Sequence, residues 1–369
     1  MSHAESRVQL MPGVSQLPVR SYFDEKIFAI EMERFFTNGP GYVGHRLMAP
    51  QKNDWRSLEW LDHSHLLVNT GEGVDLVRNV CRHRQAIMLE GSGNSEHIVC
   101  PLHRWTYDMR GELQGAPHFA QQPGCHNLQR TPLEDWQGLL FRGPRSARED
   151  LTDMAHAEAF DFSGYKLDRV EQHECKYNWK TFIEVYLEDY HVVPFHPGLG
   201  QFVTCDDLSW QFGQWYSVQR VGITSLQQPG SPVYRRWHEA VRAAHEGKQP
   251  AHGAIWMAYY PNVMIEWYPQ VLVVSTLIPR DLNHTTNVVE FYYPEEIVDF
   301  EREFVEAEQA AYMETAIEDD VIGERMDRGR YALLKAGINE VGPYQSPFED
   351  GMQHFHEFYR KEMAGVPID

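Results

Sequence analysis

The chain is short of several things, and each shortage narrows what it can be. No run approaches the ~18 apolar residues that a membrane-crossing helix needs, so nothing in it reads as a span. The opening residues, MSHAESRVQLMPGVSQLPVR, lack the apolar stretch of a secretory leader. Five cysteines in 369 residues are too few, and odd in number, for a disulfide framework. Reduced thiols free to bind metal are therefore expected, and with them a cytoplasmic location. Positive charge is scarce: 33 Lys+Arg against 53 Asp+Glu leave a net charge of −20. Such a body repels phosphate backbones, which excludes nucleic acid as an expected partner. There is no flavin or nicotinamide fingerprint, no internal repeat and no low-complexity tract.

What is present is ordinary globular composition, 42% hydrophobic and 23% charged, in a chain long enough for two packed cores. Near the N-terminus a helix is expected, capped by Ser21 or Asp24, with Ile27, Phe28, Met32, Phe35 and Phe36 on one face and Gly39-Pro40-Gly41 ending it. From about 42 to 145, short apolar runs (HLLVNT, VDLVRNV, EHIVC, GLLFRG) alternate with glycine-rich turns, the pattern of a small all-β domain. The charged stretch 146–163 reads as a linker. Residues 175–190 have the spacing of a helix, with Trp179, Phe182, Ile183 and Tyr186 on one face. The runs AIWMAYY, VMIEWY, VLVVSTLI and TNVVEFYY between 254 and 293 suggest an antiparallel meander. Pro294 then opens a long acidic helix reaching about Lys335.

Two constellations carry chemistry. The first is Cys81-Arg82-His83 and, sixteen residues on, Cys100-Pro101-Leu102-His103. Four soft or borderline ligands in two tight pairs make a metal site. Zinc could take all four, or a [2Fe–2S] cluster could take both thiolates on one iron and both imidazoles on the other. Zinc fingers usually pair like with like, whereas here each loop offers one Cys and one His, which favours the cluster. Cys125, Cys175 and Cys205 have no such companions and are expected in the core.

The run CRHR…CPLHRWTYDMRGEL, with Trp105, Gly111 and Leu113 after the second pair, resembles the loop pair of the Rieske non-haem iron oxygenases, the ring-hydroxylating α subunits. The resemblance extends over nearly the whole chain. It implies an α+β protein: an N-terminal segment (1–41) packing on the catalytic domain, an all-β Rieske domain (42–150), and a helix-grip catalytic domain with an antiparallel sheet (151–369). Cys81, His83, Cys100 and His103 would hold the cluster. Arg82, Arg84 and Arg104 form a local basic spot expected to help an acidic electron donor dock.

The second constellation is NWKTFIEVYLEDYHVVPFHPGL, residues 178–199. His191 and His196 are five apart with Pro194 between them, so one continuous helix is excluded. Two His and one carboxylate on one face of Fe(II) leave positions open for dioxygen chemistry. The segment is similar to the family motif D/E-x-x-H-x4-H, and Asn178, Trp179 and Lys180 match its start. By that resemblance Glu188 is the carboxylate that bridges a cluster imidazole of one subunit to an iron ligand of the next, with Glu where many members have Asp; Asp189, in the next position, is the rival. The third ligand falls on Asp319, five before Glu324 with Gly329 downstream; Asp320 is the alternative and Glu318 the third choice.

The resemblance also implies O2 as co-substrate, NAD(P)H electrons arriving through a separate reductase and possibly a ferredoxin, and a homotrimer. A small aromatic acid or similar ring leads as substrate. The same machinery hydroxylating or demethylating a non-aromatic substrate such as a quaternary amine is the alternative, and a Rieske electron carrier the reading from another class. Trp256, Tyr260, Trp267 and Phe291 lie on the sheet expected to wall the pocket.

Overall fold

The computed structural model describes residues 10–11, 15–119 and 126–368, so Cys125 lies outside the described residues. The chain divides into two compact units: Asn38–Glu149, and Asp150 onward together with the chain up to Thr37.

The smaller unit is built from three antiparallel sheets. Five strands pair in the order Ser92–Asn94, Asp54–Ser57, His65–Asn69, Val74–Arg78, Arg130–Thr131; two three-stranded sheets complete it. Leu66, Val68, Val77, Ile98, Trp105 and Tyr107 are buried together with Cys81 and Cys100. The short apolar runs of the sequence are these strands.

The larger unit is organised by a seven-stranded antiparallel sheet. Its order is Tyr165–Cys175, His284–Pro294, Val271–Asp281, Val263–Tyr268, Ala254–Tyr259, Tyr216–Ile223, Val203–Phe212. The middle four are the expected meander. Ala254–Tyr259 is buried at every position, which is why it reads as a continuous apolar run rather than an alternation. Two core clusters share one face of this sheet at opposite ends of its strands. Trp256 belongs to one with Phe291, Trp237 and Phe304. Ala258 and Tyr260, two and four residues along and so of the same parity, belong to the other with Trp179, Phe355 and Tyr359. The helix Arg302–Lys335 packs on the sheet through Tyr312 against Phe291, with ring centroids 5.3 Å apart.

The N-terminal helix is Glu25–Glu31, and Asp24 caps it by accepting from the Lys26 and Ile27 amides. It runs on into a wider turn, Met32–Thr37, before the glycines. Phe35 packs 5.6 Å from Phe358 and 6.0 Å from Trp179. Glu31 is buried beside it, accepting from Lys180 Nζ at 2.8 Å and Trp179 Nε1 at 3.0 Å, so its charge is paired where water cannot reach.

Three expectations are corrected. Residues 175–190 are not one helix. Cys175 closes a strand, Asn178 caps the helix Trp179–Tyr186 by accepting from the Lys180 amide, and the helix ends eight residues later. Pairing of Cys175 with Thr285 wins over helical spacing. Pro294 both closes a strand and caps the helix that follows, but that helix is two, Glu295–Phe300 and Arg302–Lys335, because Glu301 leaves helical geometry at φ −120°, ψ 55°. The stretch 146–163 is packed rather than a free linker: Ala147, Leu151, Phe160 and Phe162 are buried, and Phe162 meets Tyr292 edge-on at 5.1 Å. Strands Tyr165–Cys175, Val203–Phe212 and Tyr216–Ile223, and helices Pro232–Ala244 and Asp350–Glu362, carry no expectation from the sequence. No helix among the described residues is long and apolar enough to cross a membrane.

Candidate active site

In the smaller unit, the two Cys/His loops are the same turn used twice. The Gln85 amide donates to the Cys81 carbonyl at 3.1 Å and the Cys81 amide to the Ala86 carbonyl at 2.9 Å. In the second loop the Arg104 amide donates to the Cys100 carbonyl at 3.1 Å and the Cys100 amide to the Trp105 carbonyl at 2.8 Å. Gln85 and Arg104, at the equivalent point, both take left-handed φ values, 56° and 60°. Equal turns set the two thiols alike even though His83 is third and His103 fourth in its turn. Both thiols are buried, and the two imidazoles lie 4.6 Å apart.

His83 stacks on Trp105 at 5.1 Å, and its Nδ1 is buried with no hydrogen-bond partner. An orphaned buried nitrogen calls for a ligand, and a metal would supply one. Tyr107 places its hydroxyl 3.7 Å from Cys81 Sγ and accepts from the Arg82 amide at 3.2 Å. A donor so close to a cluster thiolate is the kind of hydrogen bond that raises its reduction potential. Two thiols and two imidazoles on facing turns fit a Rieske cluster. Arg82, Arg84 and Arg104 are exposed.

In the larger unit, His191 and His196 flank the single helical turn Val192–Phe195. Pro194 is tolerated there because first-turn amides have no intrahelical acceptor anyway. Across from them the helix Arg302–Lys335 presents Asp319. Its Oδ1 lies 3.0 Å from His196 Nε2 and 3.4 Å from His191 Nε2, yet it makes no hydrogen bond of good geometry with either. Three ligand atoms converge within 4.8 Å. Their lone pairs meet instead of donating to one another, which fits a metal ion held by two His and one carboxylate.

Each imidazole is steered from behind by its own carboxylate. Glu188 Oε1 is 2.5 Å from His191 Nδ1, a close contact without hydrogen-bond geometry, and its Oε2 accepts from the His191 amide at 3.0 Å. Glu318 Oε2 is 2.7 Å from His196 Nδ1. These contacts leave both Nε2 atoms facing Asp319. Burial works against a charged His191, but with no metal bound Asp319 and Glu188 outweigh it and raise its pKa to about 10. The acids around the imidazole thus favour a positive charge there, which a metal ion would supply in place of the proton.

Adjacent positions on a helix point about 100° apart, and the acidic run sorts accordingly. Asp320 turns to His173 Nε2 at 2.7 Å and to the Tyr177 hydroxyl at 3.0 Å. Gly323 lets that tyrosine lie on the helix, since a Cβ there would sit 2.9 Å from its Cζ. Glu318 orients His196. Of the three acids only Asp319 joins the two imidazoles.

A cavity of about 100 Å³ opens beside this triad. Phe182, Val185, Leu199 and Phe202 form apolar wall; Trp237, Trp256, Tyr268 and Tyr312 add aromatic faces. Of the aromatics singled out on the sheet, Trp256 reaches the cavity. Tyr260 belongs to the opposite core cluster and Phe291 packs on Tyr312. Trp267 does not line it, because its neighbours Glu266 and Tyr268 take the cavity-facing parity of the strand.

Glu266 and Glu308 are the residues that sequence reasoning missed. Both line the cavity and both are buried. Tyr268 donates to Glu266 Oε2 at 2.7 Å and Tyr312 to Oε1 at 3.2 Å; Tyr293 donates to Glu308 Oε2. Burial pushes the Glu266 carboxyl up to about 7 and that of Glu308 up to about 8. Glu266 had a signal in the sequence, as the lone acid in the apolar run VMIEWY. Glu308 had none among the many acids of its helix. Asp189 also lines the cavity; it accepts from Gln219 Nε2 at 2.6 Å through Oδ1, while Oδ2 is buried without a partner.

Comparison with known proteins agrees with this geometry. The catalytic domain of the ring-hydroxylating α subunit matches residues 162–365, and the Rieske [2Fe–2S] domain matches 43–132. A putrescine 2-hydroxylase of Ralstonia nicotianae is 63% identical over 364 residues, covering 98% of this chain and 100% of the relative. A second, from Bordetella bronchiseptica, is 59% identical over 371 residues, covering 96% of this chain and 86% of the relative. A solved quaternary ammonium Rieske monooxygenase superposes with a TM-score of 0.74 at 19% identity over 95% of each chain, a likeness of fold. The chain thus belongs to the Rieske non-haem iron oxygenases as an α subunit, an oxidoreductase that incorporates molecular oxygen into its substrate.

Proposed function

We propose that this oxygenase hydroxylates a carbon of a small aliphatic amine, with putrescine, the substrate in its relatives' names, as the leading candidate. The observation that carries the reading is the charge of the cavity. Five carboxylates line it (Glu188, Asp189, Glu266, Glu308 and Asp319) and no lysine or arginine does among the described residues. An aromatic carboxylic acid would bring a further negative charge into a space whose lining offers no lysine or arginine to meet it. An ammonium group meets carboxylates and the faces of Trp237, Trp256 and Tyr312. The aromatic substrate favoured by the sequence therefore gives way to the non-aromatic alternative.

In this reading Cys81, His83, Cys100 and His103 hold the [2Fe–2S] cluster, and His191, His196 and Asp319 hold the mononuclear Fe(II). When bound, the iron supplies dioxygen activation. The chain does the rest. Glu318 holds His196 in the tautomer that turns Nε2 to the metal, and Glu188 stands in contact behind His191 on the side away from the metal. Phe182, Leu199 and Phe202 keep water from the reacting carbon. Glu188 is proposed as the bridge to a cluster imidazole of the next subunit in a homotrimer. Electrons would come from NAD(P)H through a separate reductase, with or without a ferredoxin, docking over Arg82, Arg84 and Arg104.

Iron-loaded protein given a surrogate reductase is expected to consume O2 with butane-1,4-diamine and yield a product heavier by one oxygen atom. Benzoate is expected to give no substrate-dependent uptake. The opposite pattern overturns the reading.

A further inference from the structure

Resting on that amine reading, we infer that the substrate carries two ammonium groups, and that Glu266 and Glu308 are the specificity residues that bind its two ends. Both carboxyls are buried against one cavity, and neither has a basic side chain as partner among the described residues. Their only donors are neutral tyrosine hydroxyls, two on Glu266 and one on Glu308. Glu308 Oε1 has no donor at all among the described residues, although the side chain is only 3% exposed.

Burying one carboxylate without a cation is costly, and burying two side by side is more so. A protein core has no use for such a pair, and a monocation would neutralise only one of them. A dication satisfies both. The unpartnered, buried Oδ2 of Asp189 in the same cavity is a separate sign that the space is built to receive N–H donors.

The two ends are not equivalent. Asp319 acts on Glu266, while Glu308 feels Glu266 and Asp168. Glu308 also lies eleven residues before Asp319 on one helix, roughly 16 Å at ~1.5 Å per residue. Glu266 therefore takes the ammonium nearer the metal triad and sets which carbon faces it. Glu308 takes the remote ammonium and measures chain length. Tyr312, one helical turn from Glu308 and bonded to Glu266, spans the gap with its aromatic face.

The test uses oxidised holoenzyme, so that binding is read without turnover. Calorimetry with butane-1,4-diamine, butan-1-amine and 4-aminobutan-1-ol should show the diamine binding at least about tenfold more tightly than either monoamine. In Glu308→Gln that ratio should fall toward one, and Glu266→Gln should weaken all three ligands. Steady-state hydroxylation by Glu308→Gln should show the change in KM for the diamine more than in kcat. Equal affinities in the wild type, or a Glu308→Gln variant that keeps the full preference, overturns the two-ended assignment. Should a variant not fold, the wild-type ligand series decides alone. If the wild type neither binds nor oxidises any of the three amines, it is the amine reading itself that fails.

Discussion

The two metal-binding regions are assembled on opposite principles. In the smaller unit the four proposed ligand residues fall within 23 consecutive positions, 81–103, on two turns closed by the same pair of backbone hydrogen bonds. Little chain has to be ordered to bring them together. In the larger unit Asp319 meets His191 and His196 across more than a hundred residues, and the imidazoles are aimed by carboxylates of two different segments. The cluster site is thus a property of two loops, whereas the iron site is a property of the whole sheet-and-helix packing. A local site is robust to distant change; a distributed one feels every element that sets it.

The sharpest way to break that contrast is to remove one ligand from each. Cys100→Ser should abolish the cluster's visible absorption and leave iron at His191, His196 and Asp319. Asp319→Asn should do the reverse. Metal analysis with electron spin resonance reads both, and turnover should fall at least about a thousandfold in each. Loss of both centres from either single change would show that the two regions are not independent in this respect.

Next in size is Glu188→Gln. It should retain both metals but lose most coupled turnover, because a carboxamide orients His191 without offering a second charged oxygen to another imidazole. Stopped-flow reduction of the cluster, compared with product formed per electron, checks it. Glu318→Gln should act through the metal rather than the electron path, weakening iron binding by about 10- to 100-fold with the cluster spectrum unchanged. Iron titration of the apoprotein measures this.

The smallest effect expected is one of pH on amine binding. Burial raises Glu266 to about 7 and Glu308 to about 8 in the amine-free protein. Below pH 7 both carboxyls are held protonated, so a dication must displace their protons to bind. Affinity for butane-1,4-diamine should therefore rise by at least about tenfold between pH 6 and pH 8, because two protons are displaced, and level off only once pH has passed the Glu308 value of about 8. The groups facing them are Tyr268, Tyr312 and Asp319 for Glu266, and Tyr293, Glu266 and Asp168 for Glu308. The same carboxyls make the amine-free fold less stable as pH climbs from the ordinary carboxyl range through 8, because the unfolded chain gives up these protons earlier. Calorimetry and thermal unfolding across pH 6–8.5 check both signs.

The legible parts of the site were those written in short spacing. Cys81, His83, Cys100 and His103 stand in two tight pairs, and His191 and His196 bracket a proline that forbids one helix. Asp319 came only from likeness to a family, since Glu318 and Asp320 are chemically equal to it in sequence. The structure separates the three by helical phase, one to each partner. The central strands were legible because burial on both faces writes an unbroken apolar run. The edge strand Tyr165–Cys175 was not, because partial exposure leaves polar residues along it, and its register with His284–Pro294 is set by a neighbour more than a hundred residues away.

By itself, then, the order of residues pointed to the kind of chemistry: it put forward the side chains proposed to bind iron and the loops that carry them. Tertiary packing alone decided what is admitted to that chemistry. Glu266 and Glu308 are two acids among many until a strand and a helix bury them against the same space. There, low polarity turns an ordinary carboxyl into a costly charge that a cation can relieve.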